Sequence, residues 1–145
     1  MIAAMAEIVE ILRQVPLFAG LEEKELRRVA DNMVERTFGE GDEVTSQDAR
    51  GNWFFVIEEG TASVNRDGET VRNLGPGDYF GEIALIDKGS RSATIVANGD
   101  LRCQGLSAIA FRPLVQTHPE IAWPLLEALV ERLRDAEARA GAAAR

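Results

Sequence analysis

Apolar positions recur at helical spacing near the start of the chain. The first group repeats about every 3.6 residues, and it consists of Ile2, Met5, Ile8, Val9 and Leu12. A second amphipathic stretch carries its apolar side chains at Leu21, Leu26, Val29, Ala30 and Met33. Pro16 and Gly20 stand between the two groups. This pattern predicts two N-terminal helices, because residues three and four apart share one face of a helix.

The central part of the chain changes to short β-branched or aromatic runs with glycines between them. The runs cover residues 53–57, 61–64, 70–74 and 92–97. Many short strands with regular turns predict an antiparallel roll, barrel or sandwich. Asp67 and Gly68 predict a two-residue hairpin turn, because glycine tolerates the positive φ that such a turn requires. We therefore expect a mainly β fold, a jelly-roll-like antiparallel β-roll flanked by helices.

Helical spacing returns after Ser107 and is strongest in the leucine-rich stretch Leu125, Leu126, Leu129, Val130 and Leu133. Pro119 suits the first turn of a helix, whereas Pro124 would lie one turn inside and remove a backbone hydrogen bond. A kink or a new helix start is expected near Trp123. The apolar stripe also predicts a homodimer through residues 121–139.

Length and charge limit the classes of function. A chain of 145 residues with 46% hydrophobic residues suits one soluble domain. The net charge is −8, and no segment is basic, so direct binding to nucleic acid or to an acidic membrane surface is disfavoured. Cys103 is the one cysteine and cannot form an internal disulfide, so a cytoplasmic location is expected. No run approaches the roughly 18 apolar residues of a membrane-spanning helix.

The segment over residues 79–94 combines features of a site for an anion. Gly81 allows the backbone to approach a ligand, and residues 82–86 can form one helical turn directly after it. Arg91 supplies a permanent cation that can form two hydrogen bonds at once, and Ser92 adds a hydroxyl. Glu82 would weaken an anion site unless it accepts hydrogen bonds from sugar hydroxyls. The combination suits a ligand with both a phosphate and a ribose.

These residues resemble the phosphate-binding cassette of cyclic nucleotide-binding domains, found in catabolite-activator-like regulators, cyclic-nucleotide-dependent kinases and cyclic-nucleotide-gated channels. The matching cassette residues are Phe80, Gly81, Glu82, Ile83, Ala84, Leu85 and Ile86, followed by Arg91, Ser92, Ala93 and Thr94. The resemblance implies that Glu82 holds the ribose 2′-hydroxyl, while Arg91, Ser92 and cassette amides hold the cyclic phosphate. It also implies that Val64 and Val71 line the base pocket from facing strands and that Leu129 and Leu133 belong to a lid helix.

The same resemblance implies a single domain over residues 1–145. N-terminal helices would span 1–36, the β-roll 37–106 with its cassette at 80–94, and C-terminal helices 107–140. Asp48 and Asn52 depart from the usual turn residues but remain small and polar. The stretch Asp135, Ala136 and Glu137 stands where the catabolite-activator branch offers hydroxyl groups to adenine. The base therefore stays open between cyclic AMP, which we favour, and cyclic GMP.

The sequence gives little support for an enzymatic function. A metal enzyme on a small β-barrel normally needs several histidines, and His118 is the one histidine in the sequence, so we expect no metal, no cofactor and no catalytic residue. The leading hypothesis is a regulatory domain for signal transduction that relays cyclic nucleotide binding through its C-terminal helix. The alternative is an interaction or dimerisation module that does not use nucleotide. No residues remain after the last helix for a helix-turn-helix, so we expect an effector protein or domain in trans.

Overall fold

The computed structural model describes residues 2–45, 52–87 and 93–143. These residues group into two compact units, one made of residues 32–113 and the other of residues 1–31 with 114–145. The first unit contains the strands, and the second contains mainly helices. Whether the whole chain behaves as one domain stays a prediction.

Within the described ranges, the strand-rich unit contains two antiparallel sheets of four strands each. Sheet A has the order β1-β8-β3-β6, and sheet B has the order β2-β7-β4-β5. The strands are β1 Val34–Phe38, β2 Glu43–Thr45, β3 Trp53–Glu59, β4 Ala62–Arg66, β5 Glu69–Leu74, β6 Tyr79–Phe80, β7 Thr94–Ala97 and β8 Leu101–Ser107. The predicted mainly β, antiparallel fold is confirmed.

The inward side chains of both sheets form one apolar core. Sheet A contributes Phe55, Ile57, Phe80, Leu101 and Cys103, and sheet B contributes Ala62, Val64, Leu74, Ile95 and Ala97. Alternate residues of β4 are buried, as expected when one face of a strand packs against a core. The sequence is apolar without a break over residues 53–57. The structure explains this pattern, because four successive residues of β3, from Phe54 to Ile57, are buried.

The turn between β4 and β5 is the predicted hairpin. Asp67 has a φ of 54° and Gly68 a φ of 83°, the pair of positive angles that a type I′ turn requires. Arg66 pairs with Glu69 at the end of the hairpin. The prediction made from these two turn residues is confirmed.

Strand β1 begins at Val34, ahead of the expected start of the roll at residue 37. It pairs with β8 at the edge of sheet A. Four of its residues, from Val34 to Thr37, are exposed. An edge strand with little burial lacks the apolar alternation by which strands are recognised in a sequence.

The helices are α1 Ile2–Gln14, α2 Glu23–Asp31, α3 Ala108–Thr117 and α4 Ala122–Ala143. A 3₁₀ helix over Pro119–Ile121 precedes α4, so Pro124 lies in the first turn of a new helix. The expected restart near Trp123 is confirmed. Helix α4 extends beyond the expected end of the C-terminal helices at residue 140. Among the described residues, no helix has both the length and the apolar character needed to cross a membrane.

Candidate functional site

The segment that precedes the cassette is held against strand β3. The Ile57 amide donates a hydrogen bond to the carbonyl of Asp78 at 2.9 Å, and the Gly77 amide donates to the carbonyl of Ile57 at 2.9 Å. Beyond this point Phe55 and Phe80 are directly opposed in the register of β3 and β6, with their ring centroids 5.5 Å apart. The cassette therefore starts from a fixed position on the sheet.

Gly81 marks the change from strand to helix. Its φ of 86° and ψ of 12° lie in the left-handed region, which residues other than glycine rarely adopt. A 3₁₀ helix over Glu82–Leu85 follows directly, and the Ala84 amide donates to the Gly81 carbonyl at 3.0 Å. The helical turn predicted for residues 82–86 is confirmed, and so is the special backbone conformation of the glycine.

A cavity of about 670 Å³ opens beside this turn. Its described lining is Thr45, Val64, Arg66, Val71, Arg72, Asp78, Tyr79, Phe80, Gly81, Glu82, Ala93 and Ile95. Strands of sheet B form one side, and the segment from Asp78 to Glu82 forms the other. A cavity of this size is within the range of small-molecule sites, about 300–1,000 Å³.

Half of the residues proposed for the site line this cavity. They are Val64, Val71, Phe80, Gly81, Glu82 and Ala93. Val64 and Val71 lie on paired strands, β4 and β5, as the resemblance implied. Ile83 and Ala84 belong to the 3₁₀ helix and are not among the described residues of the lining.

The four remaining proposed residues are not among the described residues that line the cavity. Arg91 and Ser92 lie outside the described residues. Leu129 and Leu133 lie on α4, in the other compact unit; Leu129 is half-buried, and Leu133 is 58% exposed. The phosphate-binding and lid roles of these four residues stay predictions.

Two arginines in the lining were not identified from the sequence. Arg66 follows Val64 by two positions on β4, so strand alternation places both on one face, and this signal could have identified it. Arg72 directly follows Val71, so simple alternation places its side chain on the opposite face. Only the observed strand pairing brings both consecutive residues to the cavity.

The two acids of the lining differ in their surroundings. The Asp78 carboxylate accepts a hydrogen bond from the Gly75 amide at 2.8 Å, so it stabilises the turn before β6. Glu82 is half-buried at the start of the 3₁₀ helix. In the described part of the chain, no group of His, Cys, Asp or Glu side chains is arranged to hold a metal ion. The arrangement suits a ligand that carries hydroxyl groups near Glu82 and a base between the strands.

Residues 35–118 match the sequence model of the cyclic nucleotide-binding domain. The cAMP-dependent protein kinase regulatory subunit of Mycosarcoma maydis is 40% identical over 94 residues, which cover 62% of this chain. The aligned part is 18% of that subunit. The chain therefore corresponds to a small part of this relative.

Two solved structures resemble the fold. The N-terminal domain of a transcriptional regulator from Streptomyces coelicolor A3(2) has a TM-score of 0.80 and 30% identity, with 89% of this chain and 93% of that chain covered. The catabolite activator protein of Thermus thermophilus has a TM-score of 0.68 and 30% identity, with 89% and 63% covered. Both likenesses cover most of this chain.

Proposed function

Because this chain belongs to the cyclic nucleotide-binding domain family, we propose that it is a regulatory sensor domain that binds 3′,5′-cyclic AMP in the cavity beside Gly81. The observation that supports this most directly is the composition of that cavity. It brings Glu82 of the cassette together with Val64 and Val71 of the β4–β5 hairpin. We propose binding, rather than catalysis, as the role of the site.

Each part of the ligand has a proposed partner. The Glu82 carboxylate accepts a hydrogen bond from the ribose 2′-hydroxyl, and Val64 and Val71 contact the faces of the base. Arg91 and Ser92 bind the cyclic phosphate, since a guanidinium can donate two hydrogen bonds to phosphate oxygens. The name of the Mycosarcoma maydis relative, a cAMP-dependent subunit, favours adenine as the base.

Calorimetric titration with cyclic AMP and with its 2′-deoxy analogue tests the assignment of Glu82. Glu82→Gln should weaken binding of cyclic AMP about tenfold, since hydrogen bonds to charged groups contribute about 1.5–3 kcal/mol. It should change binding of the 2′-deoxy analogue much less. Additive effects of the protein and ligand changes would contradict the contact between Glu82 and the 2′-hydroxyl.

Arg91→Ala supplies the matching test at the phosphate. It should weaken the binding of cyclic AMP and of its 2′-deoxy analogue by a similar factor of about ten to one hundred, because both ligands retain the phosphate. Arg112→Ala is the control, since Arg112 is exposed on α3 and is not among the described residues of the lining. If the unaltered protein binds neither cyclic AMP nor cyclic GMP, the proposal fails and an interaction module that does not use nucleotide is favoured.

We also propose that α4 relays the bound state to an effector. A ligand shifts a conformational equilibrium only if it binds two states with different affinities. Hydrogen exchange with and without cyclic AMP should therefore show added protection in residues 121–139 as well as in the cassette. Added protection confined to residues 79–94 would agree with ligand binding but would contradict the relay through α4.

A further inference from the structure

A second cavity, of about 470 Å³, lies between α1 and α2 in the helical unit. We call it the α1–α2 groove. Its described lining is Met5, Ala6, Val9, Glu10, Glu23, Arg27 and Asp31. None of these residues is among the described lining of the cavity beside Gly81. An occupant of the α1–α2 groove would therefore contact a different set of side chains from those proposed for nucleotide binding.

The two helices that form the groove run side by side in opposite directions. The Arg13 guanidinium, at the end of α1, lies 3.2 Å from the Glu10 carboxylate and 3.6 Å from the Glu23 carboxylate at the start of α2. Met5 and Asp31 line the groove together, so the start of α1 is beside the end of α2. A third helix is the element that fits along such a channel, because its side chains can pack between those of the other two.

The wall that α1 contributes is apolar. Met5, Ala6 and Val9 lie on one side of the helix, since residues three and four apart are neighbours on its surface. Val9 is buried, Met5 is half-buried and Ala6 is exposed. The short side chain of Ala6 leaves this wall accessible. Apolar side chains of a partner can therefore be buried against α1.

The wall that α2 contributes is charged. Glu23, Arg27 and Asp31 follow each other at intervals of four residues, which places them along one stripe about 12 Å long. Glu23 has Arg13 and Arg27 within 3.7 Å, and Glu10 of α1 also pairs with Arg13. Within the described ranges, Asp31 makes no ion pair. The uncompensated negative charge is therefore at the Asp31 end of the groove.

Charge narrows the choice of occupant. The chain has a net charge of −8 and no basic segment, so a second copy does not supply a cationic helix. Nucleic acid and acidic membranes carry negative charge and are disfavoured for the same reason. A helix with an apolar stripe and flanking lysine or arginine matches both walls, and such helices bind grooves of this kind in many complexes.

We propose that the α1–α2 groove is a docking site for a basic amphipathic helix of a partner protein. The apolar stripe of that helix packs against Met5, Ala6 and Val9. A lysine or arginine on its flank pairs with Asp31. Docking takes place with or without nucleotide, because the two cavities have no described lining residue in common.

The test uses two fluorescent peptides of about 14 residues, long enough to span the groove as helices. Both carry leucines at helical spacing, but one has lysines on its flanks and the other has glutamates. Fluorescence anisotropy measures the binding of each peptide to the unaltered chain without nucleotide. The lysine peptide should bind at least about tenfold more tightly than the glutamate peptide, and its affinity should fall as the salt concentration rises.

Two pairs of variants locate the bound peptide. Asp31→Lys should weaken binding of the lysine peptide about tenfold, whereas Asp135→Lys, the same change on α4, should alter it less than about twofold. Ala6→Gln should weaken binding about fivefold, because the longer side chain fills space that the peptide occupies. Ala136→Gln on α4 is its control. Both control residues are exposed and outside the described lining, and circular dichroism checks that every variant is folded.

Several results would overturn the inference. One is that the lysine peptide does not bind, or binds no more tightly than the glutamate peptide. Another is an equal loss in Asp31→Lys and Asp135→Lys, which would show attraction to the charge of the whole chain. Unchanged binding to Ala6→Gln would place the peptide on a different surface. Self-association that Ala6→Gln abolishes, measured by light scattering, would make a second copy the occupant. Because nucleotide is absent throughout, none of these results bears on the proposed function.

Discussion

Gly60 lies where β3 ends and the chain turns toward β4, and it has a φ of 91°. A Cβ atom at this position would overlap the carbonyl oxygen of Asp100 and lie 3.1 Å from the Leu101 Cα. Both contacts are with backbone that leads into strand β8, so no side chain can move aside to relieve them. Gly60 therefore serves two purposes: it adopts the left-handed conformation, and it allows two backbone segments to approach closely.

We predict that Gly60→Ala destabilises the fold by about 2–5 kcal/mol, the sum of left-handed strain and overpacking. Gly68→Ala is the matched control, because Gly68 has a similar φ of 83° and no atom within 4 Å of the added Cβ. Gly68→Ala should lower the free energy of unfolding by about 1–2 kcal/mol, from backbone strain alone. Urea denaturation of both variants measures the difference. Equal destabilisation would contradict the close approach to Asp100.

Cys103 is fully buried in strand β8, as expected for a cysteine that acts as a small apolar residue. Burial, with a smaller effect from the negative charge of Glu58, raises the pKa of its thiol to about 12. The thiolate is the reactive form of cysteine. The thiol of the folded protein should therefore resist alkylation at pH 8 and react readily once the protein is unfolded.

The raised pKa of Cys103 also predicts a dependence of stability on pH. Above the ordinary value of 9.0, the unfolded chain loses the thiol proton while the folded protein retains it, so the free energy of unfolding falls as pH rises. The slope from this group approaches about 1.36 kcal/mol per pH unit, the largest value that one proton can give. Cys103→Ala should remove this contribution. If the stability curves of the unaltered protein and Cys103→Ala run parallel between pH 8 and 10, the predicted contribution of the thiol is contradicted.

At the scale of elements, His118 connects α2 to the turn before α4. The Arg28 guanidinium lies 3.1 Å from His118 Nε2, and His118 Nδ1 lies 3.5 Å from the Glu120 carboxylate. An arginine can only donate, so His118 Nε2 is the acceptor and Nδ1 carries the proton toward Glu120. The side chain of His118 thus connects α2 to the 3₁₀ helix that precedes α4.

We predict that His118→Ala destabilises the helical unit by about 1–2 kcal/mol, because it removes a partly buried hydrogen bond from a charged donor. Glu120→Gln should have little effect, since pairs at the exposed surface contribute little. Thermal denaturation at pH 7.5 compares the two variants. A larger loss from Glu120→Gln than from His118→Ala would show that the carboxylate, and not the arginine contact, fixes the turn.

The pKa of Glu120 is lowered by a hydrogen bond from its own backbone and, to a smaller extent, by His118 and Arg28. A lowered pKa in the folded state means that this contribution to stability is present near neutral pH and is lost as pH falls through the folded pKa. Acidification should therefore weaken the contact with His118 from the carboxylate side.

At the scale of the whole molecule, α4 carries an exposed apolar stripe. Its members are Trp123, Leu126, Val130 and Leu133, and each is between 49% and 68% exposed. Their spacings of three, four and three residues place them on one face of the helix. The expected stripe included Leu125, but Leu125 is buried in the unit that contains α4, so the exposed face is rotated relative to the prediction.

We predict that two copies of the chain associate through this exposed stripe of α4. Light scattering over a range of concentrations should show a mass that rises toward that of a dimer. Leu126→Lys combined with Leu133→Lys should keep the protein monomeric, because two charges would have to be buried in the interface. Asp135→Lys, on the opposite face of α4, is the control. A monomer at every concentration, with and without cyclic AMP, would contradict the prediction.

Much of this protein is determined by features that are local in the sequence. The turn at Asp67 and Gly68, the helical turn after Gly81 and the restart of the chain before α4 depend on the backbone preferences of a few adjacent residues. Burial of Cys103 followed from its alternation with apolar neighbours. Glu82, Val64 and Val71 were identified through the cassette and its resemblance, and the structure places them in one cavity.

Tertiary structure alone decided the features that depend on pairing between distant strands. Strand β1 is stabilised by β8, more than sixty residues away in the sequence, and its exposed side chains leave no periodic pattern. Arg72 reaches the cavity because the register of β4 and β5 shifts at Val71. A shift of one residue exchanges the two faces of a strand. The composition of the cavity is therefore a property of strand register, which no short stretch of the sequence specifies by itself.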